Sequence, residues 1–380
     1  MARHPFRLLI LAAAAALAAA PISAQPRGLT LPPSGDNQYA SVTQGIGLVR
    51  VTVEYNRPDV HTPEGEDRRG KIWGGLVPFG MATEDFPCGK ECPWRGGANE
   101  NTVFTTSHDV KVQGQPLPAG SYGLHFIPGP EEWTIIFSKN HTSWGSYYYD
   151  VKEDALRVTA KPEKSAYTEW LTYEFTEAKP ESATANLRWE DLQLPFTLSV
   201  DNMADLYVEA LRRDLRSEAG FNRQNRLEAA RFFLESGKNL AEGLRWAELA
   251  AAEGPLNWQT FGLLTTLADL QAANGKAEEA GKSLERALNL PGLTASDIHQ
   301  YGRQLQGQKR NEEAMKVFEL NAKRFPRTWP VHVGLARGHF GLGRHKEALA
   351  EAGLALKQAP DESAKKGVET LIQQIEAAAK

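Results

Sequence analysis

Ala280, Ala314 and Ala348 stand 34 residues apart, and the same spacing recurs around each: Gly275-x4-Ala280-x3-Leu284-x2-Ala287, Lys309-x4-Ala314-x3-Phe318-x2-Asn321 and Gly343-x4-Ala348-x3-Ala352-x2-Ala355. A fixed period of this length marks stacked supersecondary units, none of which buries its apolar face alone. Small residues at the recurring positions let the two helices of a pair approach closely. Pro326 and Pro360, and Pro255 in a looser earlier copy, stop the second helix of each pair, because proline lacks the N–H and clashes with the preceding turn. From residue 201 onward the chain is rich in Ala, Leu, Glu and Arg at a 3.6-residue period. This predicts about four helix pairs over residues 223–361, a terminal capping helix over 362–379 and a further amphipathic helix over 202–220.

Leu335, Ala336, Gly343, Ala348, Ala355 and Pro360 fit one known pattern best, and this half of the chain resembles tetratricopeptide repeats. An array of that kind has a concave face suited to a peptide or partner protein; the plainer alternative is a platform that only buttresses the other half.

The first half has a different rhythm. Val49, Val51, Val53 and Tyr55 alternate with Arg50, Thr52 and Glu54, the period of a half-buried strand, and Arg57-Pro58 ends it. Similar runs occupy residues 102–107, 121–127, 133–138, 170–176, 183–189 and 192–200, with Gly, Pro and Asn between. Gly114 in Val112-Gln113-Gly114-Gln115 supplies the positive φ of a tight hairpin, and Pro118 presets φ before the next strand. Many short strands at turn-marked spacing predict an antiparallel all-β sandwich or barrel, and we take the sandwich.

Five segments then carry a second resemblance: Tyr55-Asn56-Arg57-Pro58, the glycine-rich stretch from Lys71-Ile72-Trp73 to Phe79-Gly80, Trp94-Arg95-Gly96-Gly97-Ala98-Asn99-Glu100, Leu117-Pro118-Ala119-Gly120-Ser121-Tyr122-Gly123-Leu124, and Glu132-Trp133-Thr134-Ile135-Ile136-Phe137. In order and spacing they resemble a bacterial exported family, domain of unknown function 2911. The resemblance implies a β-rich exported domain and no established substrate or catalytic residue. One departure is an insertion over residues 81–93, just ahead of the tryptophan–arginine motif, which holds both cysteines.

Arg3, His4 and Arg7 precede an apolar run over residues 8–20, and Pro21-Ile22-Ser23-Ala24 offers a small-residue cleavage site. This is the pattern of a secretory signal. The run has 13 residues, short of the roughly 20 that cross a bilayer. The expectation is a periplasmic or secreted protein cleaved near Ala24, with no membrane span afterwards. Cys88 and Cys92 would then meet an oxidising compartment and form a short-loop disulfide. A structural zinc needs about four ligands, and no second Cys pair or His-x-x-x-His completes a set, so no metal and no cofactor are expected. A net charge of −4 leaves no basic excess for nucleic acid, which is set aside.

The expected organisation is a signal peptide over 1–24, a flexible mature N-terminus over 25–37, the β-sandwich over 38–200, a connecting helix over 201–221, and all-α tetratricopeptide-like helical repeats with a C-terminal cap over 222–380. Within it, Trp94, Arg95, Asn99 and Glu100 concentrate an aromatic, a guanidinium, a carboxamide and a carboxylate on permissive backbone. Arg95 suits a carboxylate or phosphate; alternatively Arg95 and Glu100 pair to hold a buried turn. His125 falls on the less apolar face of its strand beside small residues, a ligand contact or a satisfied structural histidine. Trp144 and Tyr149 bound a run of four aromatics suited to stacking on a sugar ring, or to sandwich core.

No Gly-x-Ser-x-Gly, His-Glu-x-x-His or phosphate-binding glycine loop is present. The leading expectation is therefore a non-enzymatic exported protein. Its β domain would bind an envelope small molecule or glycan through Trp94, Arg95, Asn99, Glu100, His125, Trp144 and Tyr149, and its repeats would dock a protein. The alternatives are a hydrolase with Glu100 and His125 as acid and base, and a purely structural scaffold.

Overall fold

The computed structural model describes residues 37–82, 91–252 and 259–379. The expected signal peptide, the expected flexible N-terminal segment but for Asn37, Cys88 and Pro255 lie outside the described residues. The chain divides into two compact units at Val200/Asp201.

The first unit is built of β1 (Gln38–Ile46), β2 (Val49–Arg57), β3 (Val103–Thr106), β4 (Val110–Val112), β5 (Gln115–Leu117), β6 (Gly120–Ile127), β7 (Trp133–Ser138), β8 (Asp154–Ala160), β9 (Glu163–Lys179) and β10 (Ser182–Ser199). All pairings are antiparallel and give a six-stranded sheet, β1-β2-β3-β6-β7-β8, and a four-stranded sheet, β5-β4-β10-β9. The sheets face each other across a core that includes Phe104, Phe126, Trp133, Phe137, Trp189 and Phe196. They are tied where Tyr55 of β2 meets Tyr173 of β9 edge to face at 4.7 Å and its hydroxyl accepts from the Tyr173 amide. The expected sandwich is the observed fold.

Several details differ from expectation, among them strands β1 and β8, which the sequence left unmarked, and β9, which begins earlier than expected. Residues 183–189 and 192–200 read as separate strands, with Glu190-Asp191 left between them. They form the single strand β10, in which Glu190 sits at φ 56° between two register shifts. This is a β-bulge, which bends a strand without ending it. Strand β1 lies at the sheet edge, and although its burial alternates, its inward positions Ala40, Val42, Gln44 and Ile46 include a small residue and a polar one, so its apolar signal is weak.

The second unit contains α1 (Met203–Asp214), α2 (Arg223–Ser236), α3 (Leu240–Ala252), α4 (Phe261–Ala273), α5 (Ala277–Leu288), α6 (Ala295–Gly307), α7 (Asn311–Arg324), α8 (Trp329–Gly341), α9 (His345–Lys357) and α10 (Glu362–Ala378). Helices α4, α6 and α8, and likewise α5, α7 and α9, begin 34 residues apart, as the sequence period requires. The residues before α5, α7 and α9 are Lys276, Arg310 and Arg344, with nearly equal ψ of 61°, 57° and 70°. Ala314 and Ala348 are fully buried at helix–helix contacts. The first helices of the pairs pack on one another, α2 on α4, α4 on α6 and α6 on α8, while successive second helices do not pack comparably. The first helices therefore form the inner, concave layer.

Candidate functional site on the β unit

Strand β6 turns Tyr122, Leu124 and Phe126 into the sandwich and Gly123 and His125 to the opposite face. That second face is not open. Residues 139–150 cross over it, held by Asn101, whose Nδ2 donates to the Asn140 carbonyl at 3.2 Å. Gly123 makes the crossing feasible, since a Cβ there would lie 2.5 Å from the Asn140 carbonyl oxygen.

His125 is consequently buried. Its Nδ1 lies 3.0 Å from the Ser146 hydroxyl, and the Tyr149 ring meets its own edge to face at 5.5 Å. Burial, and secondarily the Arg95 charge, depress its pKa to about 4, so the imidazole is neutral near pH 7.

Arg95 runs beneath the same crossing segment. Its Cζ lies 5.4 Å from the centroid of Tyr147, and its Nη1 donates to the Asn99 carbonyl at 2.5 Å. Burial lowers its pKa, opposed by Tyr147. Asn99 presents that carbonyl from a left-handed turn, φ 56°, a conformation Asn tolerates better than most residues.

The structure thus brings Arg95, the Asn99 backbone and His125 together under one loop, which supplies Ser146, Tyr147 and Tyr149 as partners. It separates the other predicted residues. Trp94 is buried among Trp73, Trp133, Trp189 and Phe126, with ring centroids 5.8 to 6.3 Å from its own; it is core. Glu100 is exposed and accepts from Asn56 Nδ2 at 2.8 Å, whereas His125 sits on Ser146, so the two have different partners. Trp144 is half exposed on the crossing loop.

A cleft of about 850 Å³ opens beside this loop, lined by Met81, Glu91, Ile127, Tyr149, Asp150, Val151, Lys152 and Arg157. Its wall is set by a closed triangle. The Tyr149 hydroxyl donates to Asp154 Oδ2 at 2.9 Å, and Arg157 reaches both Asp154 Oδ2 and the Tyr149 oxygen at 2.5 Å. Burial and the Asp154 hydrogen bond raise the Tyr149 pKa to about 12, so the hydroxyl stays protonated and donates. Asp154, Arg157 and Lys152 were missed in the sequence, where only the i,i+3 pairing of Asp154 with Arg157 signals them. Met81 and Glu91 belong to the cysteine-bearing insertion. Its ends are closed by paired backbone bonds between Ala82 and Cys92. Cys92 is buried, whereas the other half of the expected bridge, Cys88, lies outside the described residues.

Among the described residues no group of three or more His, Cys, Asp or Glu side chains could hold a metal ion, and no helix is long and apolar enough to cross a membrane. The arrangement offers a hydrogen-bonded polar wall, with the exposed Trp144 and Tyr148 nearby in the chain.

Comparison with solved structures finds helical repeat proteins. One is TTC0263, a thermophilic TPR protein of Thermus thermophilus, at 20% identity and a TM-score of 0.31, covering 47% of this chain and 91% of that one. Another is YrrB, a TPR protein with an unusual peptide-binding site, at 17% identity and a TM-score of 0.25, covering 44% and 89%. A third is MamA, at 15% identity and a TM-score of 0.26, covering 43% and 84%. No curated protein matches the chain. The β unit, with the cleft and the loop that covers His125, is the part of the chain that matches a family model: residues 37–198 fit the family described as Protein of unknown function (DUF2911).

Proposed function

We propose that this is an exported, non-enzymatic protein whose β unit holds an envelope small molecule, in our reading a glycan, in the Tyr149–Arg157 cleft, while its helical repeats dock a protein. The cleft carries this reading. It combines a polar wall fixed by the Tyr149–Asp154–Arg157 triangle with exposed Trp144, Tyr148 and Val151 nearby in the chain. Aromatic faces stack on the apolar faces of sugar rings, and a few fixed polar groups orient the hydroxyls. Export rests on the basic, apolar and small-residue order of residues 1–24, and in that compartment Cys88 and Cys92 would bridge the insertion at the mouth of the cleft. Protein docking rests on the packed inner layer of α2, α4, α6 and α8.

Hydrolysis by Glu100 and His125 draws no support, because one is exposed on Asn56 and the other is buried on Ser146. The test is calorimetric titration of the full mature chain with an N-acetylglucosamine tetramer and with a panel of envelope oligosaccharides. Binding weakened at least tenfold by Trp144→Ala and by Arg157→Ala, with native circular dichroism, is expected. Unchanged affinity in both variants, or no binding across the panel, sinks the ligand reading.

A further inference from the structure

Arg157 lies between two clefts. On one side it closes the wall formed by Tyr149 and Asp154; on the other it lines a second cleft of about 710 Å³ together with Gln113, Gly114, Gln115, Thr159 and Thr197. The wall uses only part of the guanidinium. Its Nε donates to Asp154 and its Nη2 to the Tyr149 hydroxyl, while Nη1 donates to no group among the described residues.

The second cleft lies where the edges of the two sheets come together, β8 at the end of the six-stranded sheet and β5 at the end of the four-stranded one. The hairpin between β4 and β5 spans the gap. Val112 pairs with Gln115, which leaves Gln113 and Gly114 as its loop, both at positive φ, 48° and 78°. That is the backbone twist which closes a two-residue turn between antiparallel strands. From this turn the Gln113 carboxamide donates to the Thr159 carbonyl of β8 at 3.1 Å and accepts from the Thr197 amide of β10 at 2.9 Å, and the Gln113 amide donates to the Thr197 carbonyl at 2.9 Å. One residue thus ties the two sheets and fixes the floor of the cleft.

The groups displayed on that floor are of one kind. Gln115, Thr159 and Thr197 are exposed, and neither the Gln115 carboxamide nor the two threonine hydroxyls bond to another side chain or to backbone among the described residues. Among the described residues that line this cleft, Arg157 alone is charged. Amides and hydroxyls both donate and accept, as sugar hydroxyls and acetamido groups do. A hard cation would instead require several oxygen ligands with carboxylates among them. Because Gln113 holds the backbone beneath these groups, little order has to be gained on binding. Each cleft has the size of a small-ligand pocket, roughly 300–1,000 Å³, and two that adjoin at Arg157 suit a chain better than a single sugar.

We propose that the two clefts form one groove for a linear, uncharged glycan chain, in which the Gln113–Thr197 cleft is a second sugar subsite and Arg157 Nη1 contacts the chain at the junction. The inference rests on the reading of the Tyr149–Arg157 cleft as a glycan site. It adds that the ligand is a polymer and names the residues that hold its next units.

The test is calorimetric titration of the full mature chain with the dimer and the tetramer of N-acetylglucosamine. The tetramer is expected to bind at least tenfold more tightly than the dimer, because it alone reaches both clefts. The double variant Gln115→Ala/Thr159→Val alters two exposed side chains and keeps a β-branched residue in β8, so it folds, and circular dichroism verifies it. This variant is expected to bind the dimer as the parent does and to lose the tetramer's advantage. Equal affinity of the parent for the two oligomers overturns the second subsite and leaves the first cleft standing. A tetramer advantage that survives in the double variant, or a dimer affinity that falls with it, also overturns the assignment. Binding of neither oligomer overturns it too, and is the one result that counts against the glycan reading of the first cleft as well.

Discussion

The Arg95 guanidinium lies across the Tyr147 ring at 5.4 Å, with the Gly145 backbone closing over it. Gly145 has φ +55°, and a Cβ there would stand 2.5 Å from Arg95 Cζ. Gly145→Ala therefore carries two penalties: a left-handed backbone that costs a non-glycine residue of the order of 1 kcal/mol, and displacement of a buried cation from its ring. A loss of roughly 2–3 kcal/mol in urea denaturation is expected. In an Arg95→Ala background the same substitution should cost about 1 kcal/mol less, because the obstructing side chain is gone. An unchanged midpoint for the single variant would show that residues 139–150 do not bear on Arg95 as described.

Burial of His125 makes the β unit acid-sensitive. The unfolded chain binds the imidazole proton near pH 6.5, while the folded protein binds it only near pH 4. Between those values the unfolded state holds more protons, so stability falls as pH falls; above about 6.5 the contribution is constant, and below about 4 it is gone. The shift sets a ceiling of about 3 kcal/mol. His299 in the helical unit, also depressed to about 4, acts with the same sign, so the comparison must be made against His125→Gln. Denaturation followed by near-ultraviolet circular dichroism at pH 7 and pH 4.5 should show a smaller acid loss in His125→Gln than in the parent. Equal losses would mean that His125 titrates normally.

How much of this was legible in the sequence depends on whether the information was local. The repeat register was legible because 34-residue spacing is a property of the chain itself, and β2 because Val49, Val51 and Val53 alternate. The strand assignment also put His125 on the correct face of β6. What the sequence did not reveal is that residues 139–150 return to cover that face, a long-range contact that turns an outward histidine into a buried one. Trp94 failed as a surface aromatic for the same reason: its neighbours Trp73, Trp133 and Trp189 are distant in sequence and meet only in the sandwich. The cleft residues Asp154 and Arg157 left only their i,i+3 spacing as a signal, which is too common to mark a site.

Lys309 occupies the left-handed position, φ 62°, at which the flanking repeats have Gly275 and Gly343 at φ 78° and 73°. Glycine adopts that conformation without the Cβ–carbonyl conflict that lysine meets. Lys309→Gly should stabilise the helical unit by about 0.5–1 kcal/mol, after allowance for the greater freedom of glycine in the unfolded chain. Thermal denaturation at 222 nm measures it, and a lower melting temperature would refute the strain.

Asp269 and Arg310 make an ion pair in which only the acid is buried, and the two partners do not contribute symmetrically. Asp269 is almost wholly enclosed, burial raises its pKa against the pull of Arg310, and its Oδ2 has no hydrogen-bond partner; Arg310 is partly exposed and shares its charge with Glu313. Desolvation of the acid offsets much of the attraction, so the pair should be worth little against an apolar replacement but much against a half-broken one. Arg310→Met strands the carboxylate in the interior and is expected to cost roughly 3 kcal/mol. Asp269→Ala frees an arginine that can turn to solvent and Glu313, and should cost about half as much. The double variant Asp269→Leu/Arg310→Met is expected to recover most of the Arg310→Met loss in urea denaturation. If Asp269→Ala were instead the more damaging single change, the carboxylate would be stabilised by more than Arg310 and the Tyr301 hydroxyl that donates to it, and the desolvation argument would fail.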